Sequence, residues 1–509
     1  MSLYSALVFT LLLVLQLSSS VHSWRFFHNG RARDGNLGIP RHTSTEQNFK
    51  YEPRNFTRWF TQDLNHFDVG DTSTWQQRYY VNDEFCDQDK KNVAFLMIGG
   101  EGEATDVWMS NGAWVEYGKQ FKAILFQLEH RFYGKSHPTE DLSIDNLKYL
   151  TSEQALADLA IFVNAMNKKY NLSSNVKWIA FGGSYPGSLA AWARLKYPHL
   201  IHGSVSSSGP LLAIPDFQDY FQVVADDLKN VDELCYTAVK EGFAQIDLLL
   251  QSKDLIKNLT PLFHLCDPLE ASIGNEQDIA NFFSTLADNF AGIAQYNKDN
   301  RLSTKGTALG NITLDTVCNI MNNNSEVKEI NRLATFNKLM LDATNQTCLD
   351  FMYSKMISEI KNISFDAATS EGSRQWTFQT CNEFGFYQSS DKKPQVFSDK
   401  FPVDFSIKQC EDIFGAKFNS TYLDYVTERT NTLYGALDIE VSNVVFVHGT
   451  VDPWHVLGIT STVTQNAPAI LIKGTAHCAD MYPAADEDLP QLKAARVEIA
   501  QHIESWLDL

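Results

Sequence analysis

The sequence has few basic residues for its length. Its 509 residues include 42 lysines and arginines against 61 aspartates and glutamates, which gives a net charge of −19 at neutral pH. A protein that binds nucleic acid or an anionic membrane surface needs a basic face to pair with phosphates. We therefore expect no nucleic-acid partner and no membrane association. Ionised carboxylates would keep such an acidic chain soluble at mildly acidic pH.

Motifs that hold metals or phosphates are also missing. The sequence contains no Cys-x-x-Cys and no His-Glu-x-x-His, which disfavours zinc ribbons, thioredoxin-like redox sites and zinc peptidases. Gly100 and Gly102 lack the third glycine of a dinucleotide-binding loop. Glu129 stands where a P-loop ending in Gly134-Lys135-Ser136 needs its first glycine. We therefore expect neither a metal nor a cofactor.

Long apolar runs are confined to the start of the chain. Residues 7–15 are apolar, and the small residues Val21 and Ser23 fit cleavage after Ser23. The run is too short to span a bilayer. Residues 1–23 are therefore predicted to be a secretory signal peptide, which directs the mature chain to lysosomes or out of the cell. Residues 24–55 are polar and irregular, which is consistent with either a propeptide or a flexible arm.

Two residue types agree with export. Sequons for N-glycosylation occur at Asn55, Asn171, Asn258, Asn311, Asn323, Asn345, Asn362 and Asn419. The cysteines are Cys86, Cys235, Cys266, Cys318, Cys348, Cys381, Cys410 and Cys478. Six of these cysteines fall between positions 235 and 410, which in an oxidising compartment predicts disulfides clustered in one region. Six cysteines alone allow about 15 connectivities.

The pattern of apolar residues divides the mature chain into three parts. Over residues 56–211, buried strands such as 93–98 and 123–128 alternate with helices, which predicts a parallel, doubly wound sheet. Residues 212–436 have mainly helical periodicity and contain the clustered cysteines. Residues 437–509 return to strands and end in an amphipathic helix. The predicted fold class is therefore α/β, with an inserted, mostly helical, disulfide-braced cap domain.

Ser184 lies in a run typical of a sharp turn between a strand and a helix. The apolar residues 176–181 precede Gly182-Gly183-Ser184-Tyr185-Pro186-Gly187, and a helical pattern follows. A serine on such a turn is the nucleophile elbow of α/β-hydrolases, although Gly187 comes one position later than in the usual Gly-x-Ser-x-Gly. Tyr185 would supply one backbone donor of an oxyanion hole. The glycine-rich loop after the early strand, represented by Gly100, would supply the other.

A serine nucleophile needs a base and an acid to orient that base. Two late strands, 444–447 and 469–472, run into loops that contain Asp452 and His477. Serine, acid and histidine then follow the chain order of α/β-hydrolases, each at the end of a strand. Taken singly, an aspartate before a proline is also a common turn residue. Trp454 could either line a substrate pocket or belong to the core.

The sequence contains four short motifs at residues 182–187, residues 129–136 (Glu-His-Arg-Phe-Tyr-Gly-Lys-Ser), residues 153–158 (Glu-Gln-Ala-Leu-Ala-Asp) and residues 452–454 (Asp-Pro-Trp). Together they resemble the S28 family of serine peptidases. The resemblance implies an α/β-hydrolase fold with a helical cap between serine and acid, and Ser184, Asp452 and His477 as the catalytic triad. It also implies peptide substrates, cleavage after proline, and disulfides Cys235–Cys318, Cys266–Cys348 and Cys381–Cys410.

The residues after His477 separate branches of this family. Carboxypeptidase members resemble His-His-Leu-Asp-Leu-Arg here, whereas this chain has His-Cys-Ala-Asp-Met-Tyr-Pro over residues 477–483 and is more similar to the thymus-specific serine protease branch. The missing arginine could have paired with a substrate's terminal carboxylate. An exopeptidase is favoured over an endopeptidase, and a homodimer is compatible with the sequence. The alternatives are a lipase or esterase on the same fold, or a catalytically silent secreted binding protein.

Overall fold

The computed structural model describes residues 27–32, 39–40, 56–298, 301–302, 308–366, 372–462 and 464–508. The predicted signal peptide, most of the predicted arm and the sequon at Asn55 lie outside these residues. Within the described ranges, none of the helices combines the length and the apolar character needed to cross a membrane.

An eight-stranded sheet forms the centre of the molecule, in the order β1-β2-β4-β3-β5-β6-β7-β8. Strands β3 to β8 pair in parallel, whereas β1 and β2 are antiparallel at one edge. This is the α/β-hydrolase fold that the sequence predicts. The predicted parallel sheet is confirmed for β3 to β8, and the antiparallel strands at the edge are an addition that the sequence pattern did not indicate. The strands are β1 (Thr57–Asp63), β2 (Thr74–Asn82), β3 (Val93–Ile98), β4 (Ile124–Leu128), β5 (Lys177–Gly183), β6 (Ile201–Ser207), β7 (Val444–Gly449) and β8 (Ala469–Ile472).

Helices cover both faces of the sheet. Successive residues of a strand point to opposite faces, so Phe95 of β3 enters one apolar cluster and Leu96 enters the other. Because both faces are covered, a central strand such as β3 can be apolar along its whole length. By helical spacing Ile161 belongs to an apolar stripe with Leu156, Leu159, Phe162 and Met166, which predicts that it is buried. It is instead 42% exposed. The covering helices are α1 (Ala113–Gln120), α2 (Ser152–Lys169), α3 (Tyr185–Lys196) and α13 (Pro490–Leu507).

The stretch predicted as the cap, residues 212–436, is mainly helical. It also contains a short parallel strand pair, Ile214–Asp216 with Gly385–Tyr387, which the helical pattern does not predict. Two four-residue helices, Ile144–Leu147 in the first part of the chain and Leu259–Leu262 in this stretch, complete the α-helices of the described residues. The longer helices here are α4 (Asp219–Val231), α5 (Glu233–Leu250), α6 (Glu276–Gln295), α7 (Leu314–Met321), α8 (Glu329–Ala343), α9 (Tyr353–Ile360), α10 (Ser373–Gln379), α11 (Val403–Phe414) and α12 (Ser420–Tyr434).

Three disulfides join parts of this helical stretch. They are Cys235–Cys318, Cys266–Cys348 and Cys381–Cys410, the same pairs that the resemblance implies. Cys86 and Cys478 are free and buried. Burial raises the pKa of both thiols, which makes them poor nucleophiles.

Two of the family motifs meet in a buried ion pair. Arg131, which is fully buried, donates from Nε to Oδ2 of Asp158 at 2.7 Å and from Nη2 to Oδ1 at 2.6 Å. His66 adds a contact to Oδ1 at 2.7 Å. Burial alone would raise the pKa of Asp158, but the neighbouring Arg131 and His66 lower it. The motifs therefore fasten α2 to the loop after β4.

Replacing Asp158 with asparagine should destabilise the fold. The change leaves the Arg131 guanidinium buried without its counter-charge, which typically costs about 3–5 kcal/mol of unfolding free energy. Urea unfolding of Asp158→Asn measures this loss. Asp342→Asn is the matched control, because Asp342 pairs with Lys338 at the surface and should cost less than about 1 kcal/mol. Equal losses in the two variants would contradict the structural role of the motif.

Candidate active site

Three loops at one edge of the sheet carry the predicted catalytic residues. Ser184 directly follows β5, Asp452 lies three residues beyond β7, and His477 lies five residues beyond β8. These strands are parallel, so their carboxyl ends meet at the same edge, where α/β proteins build their sites. The fold thus brings together residues that are far apart in sequence.

Ser184 occupies a strained turn between β5 and α3. Its φ of 65° and ψ of −134° lie outside the regions that non-glycine residues favour. The turn requires close backbone packing on both sides. A Cβ at Gly182 would lie 2.0 Å from the Pro186 carbonyl oxygen, and one at Gly187 would lie 2.6 Å from that of Ser207. The displaced glycine of the motif therefore lets α3 approach β6, and the strain holds the serine at the tip of the turn.

Asp452 and His477 form a buried pair. His477 Nδ1 lies 2.9 Å from Asp452 Oδ1, and both side chains are fully buried. Burial would raise the pKa of Asp452, but His477 and the hydrogen bonds to the carboxylate lower it. The Trp454 backbone N–H also donates to Oδ1, at 3.0 Å. Among the residues that the structure describes, His477 Nε2 has no hydrogen-bond partner, so the histidine is oriented by the acid and has its other nitrogen available.

Two serines at the end of β6 contact the loops that carry the predicted catalytic residues. The Ser184 N–H donates to the Ser207 carbonyl oxygen at 3.0 Å. Ser208 Oγ accepts from the Cys478 N–H at 2.9 Å, and Ser208 also helps to lower the pKa of Asp452. Sequence reasoning missed this link. The run of serines at the end of a central strand, next to the strand of the nucleophile, was the available signal.

The predicted oxyanion donors lie beside the serine turn. Tyr185 is the first residue of α3. Gly100 packs on the next residue, since a Cβ there would lie 2.2 Å from Cγ of Pro186. The Tyr185 hydroxyl lies 3.1 Å from Nε2 of His130, whose pKa burial lowers to about 4. This neutral histidine anchors the tyrosine side chain, and the first backbone amides of α3 lie at the helix terminus that favours negative charge.

Trp454 lies between the acid–base pair and the helical stretch. Its ring centroid is 6.4 Å from that of His477, and its Nε1 donates to Gln295 Oε1 at 2.8 Å. The His477 N–H donates to the Gln295 carbonyl oxygen at 3.0 Å. Sequence reasoning did not find Gln295, because nothing in the pattern of α6 marks its last residue. Aromatic rings of Phe217, Tyr220 and Phe386 complete the surroundings of Trp454.

The described sequons differ in accessibility. Asn419 is half-buried, and its side chain accepts from the Tyr422 N–H at 3.1 Å as the cap of α12. A glycan on its Nδ2 would leave the capping oxygen in place but would have to fit around the 3.3 Å hydrogen bond that Nδ2 donates to the Ala416 carbonyl oxygen. The other six described sequon asparagines are exposed, namely Asn171, Asn258, Asn311, Asn323, Asn345 and Asn362.

Asp227, a buried residue of α4, should make the stability of the fold depend on pH. Burial, with smaller contributions from Asp226 and Asp452, raises the pKa of Asp227 to about 8. In the unfolded chain the value is about 3.9. Between these values the unfolded state releases its proton while the folded state keeps it, so the contribution to stability is full below about pH 4 and is lost as pH rises to about 8.

The variant Asp227→Asn should remove this dependence. Thermal or urea unfolding measures the free energy of unfolding of wild type and variant at pH 5 and pH 8. Plotted against pH, the two free energies should converge or cross. Relative to wild type, the free energy of unfolding of the variant should rise by more than about 1 kcal/mol from pH 5 to pH 8. Because both proteins share all other titrating groups, parallel curves would contradict a raised pKa at this carboxyl.

On an α/β-hydrolase fold, a strained serine turn at the sheet edge that also carries a buried aspartate–histidine pair is the arrangement that serine hydrolases use. Residues 62–499 match the family model described as serine carboxypeptidase S28. The chain belongs to the S28 family of serine peptidases and is a serine-type peptidase.

Named relatives share most of the chain. The thymus-specific serine protease of Mus musculus is 34% identical over 458 residues, 88% of this chain and 87% of the relative. The Homo sapiens protein of the same name is 33% identical over 461 residues, 89% of this chain and 86% of the relative. The lysosomal Pro-X carboxypeptidase of Homo sapiens is 27% identical over 462 residues, 88% of each chain.

Proposed function

We propose that the chain hydrolyses short peptides through a Ser184–His477–Asp452 triad. His477 Nε2 takes the Ser184 proton, Ser184 Oγ attacks the scissile carbonyl, and the Tyr185 and Gly100 amides hold the oxyanion. His477 then protonates the leaving amine, and water hydrolyses the acyl-enzyme by the reverse proton movements. The observation that carries this proposal is the 2.9 Å contact between His477 Nδ1 and Asp452 Oδ1 at the sheet edge where Ser184 lies.

The proposed preference is for cleavage after proline. Trp454 lies beside His477 and packs with Phe217 and Phe386 in a buried aromatic cluster, in which the ring centroids of the two phenylalanines are 5.5–5.6 Å from that of Trp454. A pyrrolidine ring is compact and apolar and packs well on aromatic faces. The name of one relative, the Pro-X carboxypeptidase, agrees with this preference.

The proposed substrates are short, and exopeptidase action is favoured. Gln295 of α6 and Phe386 of the short strand pair bring the helical stretch within contact distance of Trp454 and His477. A site between two parts of the chain is concave and admits chain ends more readily than folded proteins. The absence of an arginine after His477 leaves the direction of exopeptidase action open to experiment.

The proposed location is the secretory pathway, in lysosomes or outside the cell. Three disulfides require an oxidising compartment for their formation. The six exposed sequon asparagines are accessible to glycosylation there.

A cleavage profile on a peptide library at pH 5 and pH 7 tests the proposal. The library should contain matched peptides with free and blocked termini, and peptides that differ only by proline or alanine before the scissile bond. Preferred release of terminal fragments after proline is expected. Faster turnover of a short-chain ester than of any peptide would favour the lipase alternative. Failure of a fluorophosphonate to label Ser184 in any processed form would favour a silent binding protein.

A further inference from the structure

A short N-terminal hairpin lies against the candidate active site. Residues 27–28 pair with 31–32 in antiparallel fashion, and Asn29 and Gly30, with φ of 49° and 67°, form the turn. Two positive φ values and an Asn-Gly sequence are typical of a type I′ turn. The tip of the hairpin presses on Trp454, since a Cβ at Gly30 would lie 2.4 Å from Cζ2 of that ring.

Side chains of the helical stretch hold the tip of the hairpin, and Arg31 of the hairpin is bonded to the sheet side. The Trp376 Nε1–H donates to the Asn29 carbonyl oxygen at 3.2 Å, and Gln295 Nε2 donates to that of Gly30 at 3.2 Å. On the sheet side, Arg31 Nε donates to the carbonyl oxygen of Glu101 at 2.7 Å. Glu101 belongs to the glycine-rich loop that would supply an oxyanion donor. The hairpin therefore bridges the helical stretch and the catalytic edge of the sheet.

The hairpin is buried although it is too short to be stable alone. Phe27 is 2% exposed and Arg31 is 4% exposed. The Phe27 ring packs edge-on against Tyr296, which packs in turn against His477, with centroid distances of 6.4 and 6.2 Å. An isolated two-stranded hairpin is marginal even when its strands are longer than two residues. The hairpin is ordered because it contacts the residues around the candidate active site.

We infer that this N-terminal hairpin blocks the substrate cleft and must be cut from the chain before the enzyme acts. The inference rests on the proposed function. In this structure Ser184 is 2% exposed and His477 is fully buried, so a peptide cannot reach them while the cleft is closed. Both tip carbonyls are occupied by side-chain donors, which holds the tight turn in place as an inhibitor. Its tether gives the hairpin an effective concentration of about millimolar, so modest affinity suffices for inhibition.

Controlled cutting tests the inference. A protease recognition sequence is inserted between residues 40 and 56 of the secreted, glycosylated full chain, and labelling by a fluorophosphonate is followed before and after cutting and gel filtration. Cutting should raise the labelling rate by on the order of tenfold or more. A synthetic peptide of residues 24–40, added back to the cut protein, should lower the rate again in proportion to its occupancy.

A point variant tests the same contact without cutting. Gly30→Ala adds a methyl group against Trp454 at a positive φ, so it should displace the hairpin and raise the labelling rate of the uncut chain. Gly274→Ala is the matched control. Gly274 also has a positive φ, +86°, but a Cβ there meets no atom within 4 Å. The control should label as slowly as the uncut wild type.

Two results would overturn the inference. One is an uncut wild type that labels as fast as the cut protein. The other is a cut protein that labels more slowly, which would make the hairpin a permanent wall of the cleft. If the fluorophosphonate labels no form of the protein, the proposed function fails. A binding measurement that does not depend on catalysis then tests the inference. In cut Ser184→Ala protein, a labelled 24–40 peptide should bind and an Ala-Pro-containing tetrapeptide should displace it. Absent binding or absent displacement would reject the hairpin as a cleft inhibitor.

Discussion

Ser184→Ala should lower kcat for peptide hydrolysis by roughly 10⁴- to 10⁶-fold. The hydroxyl is the only group at the tip of the strained turn that can form the acyl-enzyme, and alanine keeps the size that the turn requires. Substrate binding does not use this oxygen, so KM should change little. Steady-state kinetics on the best peptide of the library, with wild type and variant processed identically, measures the effect. Fluorophosphonate labelling should disappear in parallel.

Ser188→Ala is the matched control for this loss. Ser188 lies one turn further along α3, is equally buried and donates from Oγ to the Pro210 carbonyl oxygen at 2.7 Å. Its removal should cost about 1 kcal/mol of stability and leave kcat nearly unchanged. A Ser184→Ala protein that retains a tenth of wild-type kcat would refute the nucleophile assignment, and equal losses in both variants would point to a collapsed turn instead.

Asp452→Asn should lower kcat by about 10⁴-fold. The asparagine amide can donate to His477 Nδ1 where the carboxylate accepts from it, which stabilises the wrong tautomer of the ring. The variant also removes the negative charge that stabilises the imidazolium formed when His477 takes the serine proton. Because the side chain keeps its shape, thermal stability should change far less than the rate, and the two measurements together separate orientation from folding.

Asp480→Asn provides the comparison. Asp480 is a second buried aspartate at the same edge of the sheet, and its Oδ2 accepts from Ser207 Oγ at 2.5 Å. Burial raises its pKa to about 6, so near that pH much of it is already neutral. Its conversion to asparagine should alter kcat by less than about tenfold, since it does not contact the histidine ring. A larger loss in Asp480→Asn than in Asp452→Asn would transfer the role of the acid to Asp480.

The central strands could be predicted because both of their faces are buried. A run such as residues 93–98 contains only apolar residues, and its bounds agree with the structure. The edge strand β1 could not be predicted in this way, because most of its residues are at least partly exposed and its sequence is largely polar. Its antiparallel pairing depends on contacts with β2 that the local pattern does not encode. Ile161 shows the same limit, since helical periodicity alone does not tell which apolar residue at the margin of a stripe faces solvent.

The predicted catalytic residues could be named because each follows a recognisable strand in the expected order. Their partners could not be named in this way. Ser208 acts through its side chain on a neighbouring loop. Gln295 reaches the site from the end of a helix that lies about 180 residues before His477 in the sequence. The hairpin at residues 27–32 was missed for a related reason. Its polar, irregular composition resembles that of a flexible arm, and only tertiary contacts show that it is ordered.

Gln295 makes the position of the base depend on a distant surface. Its carbonyl oxygen accepts from the His477 N–H, and its side chain accepts from both Trp454 and Tyr220. It is the last residue of α6, whose 20 residues form a rod about 30 Å long. The position of the His477 loop is thereby tied to the end of α6, so a variant that shifts this helix would be expected to shift the loop as well.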